Sequence, residues 1–300
     1  PLFAPVCLRL KDGLLYVVNE AGNKVHVLDA DFRTVNVLGG YGKEPGEFWY
    51  PSSLCFDDEE NIYIADKWNH RVQVFDKNFI FKGQIGTYGI GRGEFNEPAS
   101  VAWANGVLYV AERSNGRLQG FTQMQEAVYY YQNHAPLAQF YEGMSFKHSK
   151  HYQRWLSNVN RFYSMHDQFK ECGFKLGVIE YPEELALTIS GDVIVVDKVN
   201  AIAVKFSPHL AFKQHLTLNV SHFDDIPSEC CQIHCVATDD NGAVWFGSDL
   251  SGSVVRMDGE GMNVLRIPQA RITSLAVSEP YLYIGDFWNG TILKVVCQEI

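Results

Sequence analysis

Pro51-Ser-Ser-Leu-Cys-Phe56, Asp57-Asp-Glu-Glu-Asn61, Ile62-Tyr-Ile-Ala65, Asp66-Lys-Trp-Asn-His70, Arg71-Val-Gln-Val-Phe75, Asp76-Lys-Asn78 and Phe79-Ile-Phe-Lys-Gly-Gln-Ile85 follow one another without a break. Apolar, β-branched and aromatic runs alternate here with short clusters of Asp, Asn, Glu and Lys. Runs of this length with apolar residues at every second position suit strands that bury one face, and the polar clusters between them are tight-turn formers. The stretch therefore reads as one four-stranded antiparallel sheet, strands a to d, with Asp66 to Asn69 as the hairpin between b and c.

That hairpin recurs. Glu20-Ala-Gly-Asn23, Glu112-Arg-Ser-Asn115, Asp197-Lys-Val-Asn200 and Asp286-Phe-Trp-Asn289 repeat its acidic-x-x-Asn form, and Ser248-Asp-Leu-Ser251 is a degenerate copy. Each follows a strand-like run such as Leu15-Tyr-Val-Val18, Leu108-Tyr-Val-Ala111 or Leu282-Tyr-Ile-Gly285. Successive copies lie 46, 46, 85, 51 and 38 residues apart, so one interval holds a surplus, placed by composition at residues 137–181. Six copies of one supersecondary unit predict an all-β, six-bladed β-propeller forming a single domain over 1–300, with a helical insertion between blades three and four.

Gly46-Glu-Phe-Trp-Tyr-Pro51 through Asp66-Lys-Trp-Asn-His-Arg-Val-Gln-Val-Phe75, and Gly93-Glu-Phe-Asn-Glu-Pro98 through Glu112-Arg-Ser-Asn-Gly-Arg117, resemble NHL repeats, with Asn69-His-Arg71 standing where the family carries its Asn-His-Leu tripeptide. The resemblance implies a six-bladed propeller and says little of activity, since one fold hosts many tasks. Some NHL-like propellers are similar to the peptidyl-hydroxyglycine amidating lyases, which bind zinc through several axial histidines; this chain offers one. RNA binding, as in the tripartite-motif NHL proteins, is disfavoured by the acidic charge.

Propeller topology puts the d-to-a connections and the b-to-c hairpins on one face. The insertion, a d-to-a connection, is thus expected across the channel mouth on the hairpin side. Within it, His148 to Cys172 reads as a helix carrying Tyr152, Trp155, Leu156, Val159, Phe162 and Phe169 on one stripe, stopped by Gly173. Tyr50, Trp68 and Trp288 lie on the loops of the same face, either seating that helix or stacking on a ligand. His148 and His151 share a helical face and could share a metal or sit exposed. His166, eighteen residues beyond His148, lies about 27 Å away along a helix and belongs to no common site with them.

Aligning the blades on strand b predicts an axial ring of Cys7, Ser53, Ser100, Glu184, His234 and Ser274, with Arg9, Cys55, Ala102, Ala186, Val236 and Ala276 one step deeper. Small residues suit a crowded axis. Cys7, Arg9, Glu184 and His234 do not, and ionisable exceptions converging in a concavity mark a candidate site. His234, Glu184 and Cys7 are the candidate catalytic residues and the candidate ligands of a transition metal such as zinc; the alternative is that Cys7 is plain core, Glu184 pairs with Arg9, and His234 holds a water.

The 300 residues carry 25 basic and 35 acidic side chains, a net charge of −10, without the Lys and Arg clusters a nucleic-acid surface needs. Seven cysteines, odd in number and without repeated spacing, point to a reducing compartment and a cytoplasmic expectation. The chain begins at Pro1 rather than Met, which leaves a removed leader open. No apolar run reaches the length of a membrane span. The functional expectation is binding of a small molecule, peptide or protein at the hairpin face and channel mouth, with Arg9, Tyr50, Trp68, Trp288, His148, His151 and His166 as contacts. The alternative is an enzyme, a metal-dependent lyase or hydrolase, at the same mouth.

Overall fold

The computed structural model describes residues 4–122, the strand Ala127–Gln132, Ile179, and residues 181–198, 202–216, 233–249, 251–259 and 261–297. The expected helix at His148 to Cys172, and with it His148, His151 and His166, lies outside the described residues.

Six antiparallel sheets are present, each with its strands in chain order; five have four strands and the sixth, Ile272–Ser278, Tyr281–Asp286 and Thr291–Val296, has three among the described residues. The first strand of every sheet is innermost: Pro5–Lys11, Pro51–Phe56, Pro98–Ala104, Pro182–Leu187, Ile233–Thr238 and Ile272–Ser278. Each of these touches its counterpart in the next blade, and the sixth returns to the first, so the chain is a closed six-bladed propeller. Thr273 Oγ1 and Ser274 Oγ donate to the Pro5 carbonyl at 2.8 and 3.3 Å across that closure.

Alternation decides where the core sits. The two inner strands of a blade bury both faces, whereas outer strands such as Thr34–Gly39 are largely exposed. Six apolar clusters result, one between each pair of neighbouring blades, for example Val72, Ile85 and Phe95 with Val101, Val110 and Phe121 between blades two and three. Radial sheets expose no long inner edge, which is why so many short strands hold together.

The repeated acidic residue is a fastener. Asp66 Oδ1 accepts from the Trp49 N–H at 2.8 Å, and Oδ2 from Asn69 Nδ2, Arg71 Nε and Gln73 Nε2 at 2.9, 2.8 and 3.0 Å. Glu112 takes the Asn96 N–H, Asn115 Nδ2 and Gln119 Nε2 at 3.1, 2.7 and 2.7 Å, and also Arg117 Nε. Each carboxylate thereby ties its hairpin to the loop arriving from the preceding blade, and a buried charge needs such a full set of partners. Blade one is a correction to the sequence register. Asn19, not Glu20, pairs with the first inner-strand residue as Asp66 does in blade two, and Asn19 Oδ1 accepts the Ala4 and Gly22 N–H groups at 3.2 and 3.3 Å. Glu20 moves one place on, into the position of Lys67.

Candidate functional site at the channel mouth

Every inner strand skips one residue of its pairing near its start. Pro5 and Cys7 pair with Asn19 and Val18, leaving Val6 over; Ser52, Ala99, Glu183, His234 and Thr273 are left over at the same place in the other blades. A bulge of this kind interrupts alternation and re-aims a side chain. Consecutive residues therefore reach one cavity: Ser52 with Ser53, Ala99 with Ser100, and Glu183 with Glu184 all line it.

This cavity, about 240 Å³, sits at the hairpin end of the axis. Glu20, Lys67, Arg113, Lys198 and Phe287, each the residue after the acidic or equivalent position of its hairpin, form its upper wall, and Arg271 and His234 complete it. Asp249 holds the same hairpin position in blade five and lies behind the wall. Its Oδ2 is 3.3 Å from His234 Nδ1, 3.4 Å from Arg271 Nη2 and 3.5 Å from Lys198 Nζ. Lys67 pairs with Glu20, and Arg113 with Glu183. A chain of strongly acidic balance thus gathers four cations round one opening.

Lys198 Nζ also stands 2.9 Å from His234 Nδ1. That nitrogen can accept from Lys198 or, when protonated, donate to Asp249, so the three side chains can hold one proton in two arrangements. Burial pushes the Asp249 carboxyl up, but the hydrogen bond and charge of His234, with Lys198 and Arg271, outweigh it and hold the group well below the usual carboxylate range. Burial likewise opposes Glu183, which Arg113 and then His234, Lys198 and Lys67 keep lowered. Glu184 goes the other way: burial lifts it to about 7, with Arg9 and the Val236 N–H only partly opposing.

In and behind this wall Arg113 Nε, Glu183 Oε2 and Asp249 Oδ1 are buried away from the cavity and have no partner among the described residues.

The structure places the expected site residues unequally. Cys7 and Glu184 hold the axial ring expected of them, but Cys235, not His234, pairs like Ser53; His234 is the bulged residue one level nearer the mouth, and Ala237 rather than Val236 is in register with Cys55 below. Cys7 is buried with Sγ 3.9 Å from Ser53 Oγ, and burial pushes its thiol up despite Arg9. Both Glu184 oxygens are engaged, Oε1 by Arg9 Nη1 at 3.4 Å and Oε2 by the Val236 N–H at 3.0 Å. A neutral thiol, an engaged carboxylate and a histidine on another level do not fit a zinc site, and among the described residues no three His, Cys, Asp or Glu side chains gather to hold a metal. Trp68 stacks on Tyr50 at 4.9 Å and meets Trp49 edge-on at 5.4 Å, and Trp288 lies 5.1 Å from the Arg271 guanidinium. These aromatics are at the surface and do not line the mouth cavity; Phe287 does.

Sequence reasoning missed Lys67, Arg113, Glu183, Lys198, Asp249 and Arg271. A signal was there: the residue after the acidic position is ionisable in blades two to five.

Comparison with known proteins agrees with the fold. The NHL repeat family matches residues 48–75 and the LVIVD repeat family residues 271–295. No curated protein matches. Among solved structures, a catalytically inactive variant of virginiamycin B lyase from Staphylococcus aureus with quinupristin is similar at TM-score 0.63 and 12% identity, covering 99% of this chain and 82% of that one. A streptogramin B lyase is similar at 0.62 and 13%, covering 99% and 84%. The hydrazine synthase of Kuenenia stuttgartiensis is similar at 0.61 and 10%, covering 98% and 96%. At these identities the likeness is one of fold. No helix among the described residues is long and apolar enough to cross a membrane.

Proposed function

We propose that this six-bladed propeller, which carries an NHL repeat at residues 48–75, binds a small polar molecule of mixed character, one bearing both an anionic group and hydrogen-bond donors, in the mouth cavity on the hairpin face. Amino-acid and peptide-like compounds have this chemistry. The observation that carries the reading is the lining of the mouth cavity, where Lys67, Arg113, Lys198 and Arg271 face the same space as Glu20, Glu183 and Glu184. A ligand offering a carboxylate to the four cations and an ammonium or amide N–H to the carboxylates on the same wall would meet both signs of charge. The volume of about 240 Å³ falls just below the usual range of ligand pockets, which favours a small molecule or the end of a longer one.

Isothermal titration of a panel of N-acetyl amino acids and dipeptides against the wild type, Arg113→Met and Lys198→Met tests it. A member of the panel should bind the wild type and lose about tenfold or more in affinity in both variants. A panel that fails to bind, or binding indifferent to both substitutions, would refute the reading.

A second reading, chemistry at the same mouth, is favoured by the Lys198, His234 and Asp249 arrangement. His234 would move a proton at Nδ1 with Asp249 holding the charge that forms, and Glu184, lifted to about 7, would supply a second acid or base near neutrality. Cys7 has no part in it, being a neutral buried thiol. Turnover of a bound panel member, lost in His234→Ala while binding survives, would move this reading first.

A further inference from the structure

Below the level of Glu184 the axis opens again, towards the other face, into a separate cavity of about 290 Å³. Its central ring consists of Arg9, Cys55, Ala102, Ala186, Ala237 and Ala276. Phe56, Trp103, Leu187 and Val277 extend the walls. Apart from Arg9, no lining residue carries a charge.

Arg9 is under-used where it stands. Its Nη1 donates to the Leu8 carbonyl at 2.8 Å and to Glu184 Oε1 at 3.4 Å, while Nε and Nη2 have no partner among the described residues. A guanidinium placed on an apolar wall is costly unless its planar fork of donors is met, and the group that meets a fork best is a carboxylate, which accepts two parallel N–H bonds. The carboxylate already present is remote for a strong bond and, with burial lifting it to about 7, is not fully charged near neutrality. Four alanines and a cysteine opposite the guanidinium leave the space that a second anion and its body would occupy.

We propose that this lower cavity is a second ligand site, taking a small organic monocarboxylate whose hydrocarbon or aromatic body lies against the alanine ring and whose carboxylate meets Arg9. The site is independent of the mouth cavity: Lys67, Arg113, Lys198 and Arg271 line the upper chamber and not the lower one. A carboxylate without an apolar body would forgo burial against the walls, and an apolar alcohol would leave the fork unmet.

Fluorine NMR titration with 4-fluorobenzoate tests the proposal, with 4-fluorobenzyl alcohol as a fluorinated control and inorganic phosphate as a competitor. Wild type should bind 4-fluorobenzoate and not the alcohol, and phosphate should not displace the bound benzoate from this site. Arg9→Met keeps the apolar stem and removes the fork, and affinity should fall about tenfold to a hundredfold. Ala102→Val, which narrows the ring without touching any charge, should weaken binding as well and keeps the test open if Arg9→Met does not fold. The binding event that Arg9→Met removes should persist in Lys198→Met, which alters only the mouth, and this separates the two sites. Absence of binding by the wild type, equal binding by Arg9→Met, or a loss confined to Lys198→Met would overturn the proposal.

Discussion

Glu184→Gln should change how stability depends on pH, in a direction fixed by burial. The carboxyl is lifted from 4.5 to about 7 in the folded chain, while in the unfolded chain it returns to its ordinary value. Between those values the folded protein binds the extra proton, so the group favours folding fully below pH 4.5 and loses that contribution as pH rises through about 7. Each pH unit of separation is worth about 1.4 kcal/mol, so the interval corresponds to about 3 kcal/mol. The amide introduced by the substitution would keep the shape of the side chain and carry no such dependence. Urea unfolding of wild type and Glu184→Gln at intervals from pH 4.5 to 8 measures it: the variant should gain on the wild type by about 3 kcal/mol across the range. Lowered carboxyls such as Asp249 and Glu183 contribute the opposite slope at more acid pH, but they are common to both proteins and cancel in the difference. A difference that is flat, or that falls as pH rises, would show that Glu184 is ionised in the fold and that burial does not govern it.

Other substitutions probe the fasteners, the turns and the surface. Arg117→Met strips the buried Glu112 of its counter-charge at a 0%-exposed position and should destabilise by about 3–5 kcal/mol in urea unfolding. Gly86→Ala would place its Cβ 2.3 Å from the Phe95 ring at a φ of +78°, and should cost about 2 kcal/mol or more, whereas Gly83→Ala meets nothing within 4 Å and should stay within about 1 kcal/mol of the wild type. Trp288→Ala, at 70% exposure, should shift stability by about 0.5 kcal/mol or less, because its ring contributes to no interior cluster.

Blade number, strand order and the single closed ring could be read along the chain because they rest on local chemistry: strands that alternate, turns made of Asp, Asn and Gly, and one hairpin repeated six times. What escaped was one-residue detail with functional weight. Period-two alternation cannot register a bulge, so it puts His234 one level too deep, hides Glu183 beside Glu184, and starts the blade-one hairpin at Glu20 where the structure starts it at Asn19. The charged wall was out of reach for another reason: Glu20, Lys67, Arg113, Lys198 and Arg271 are scattered over most of the chain, and only closure of the ring brings them round one opening. Local residue order settles which segments become strands and turns, since those depend on neighbours in the chain; which side chains share a cavity, and which carboxyl is lifted or lowered there, depends on burial and on charges contributed by other blades.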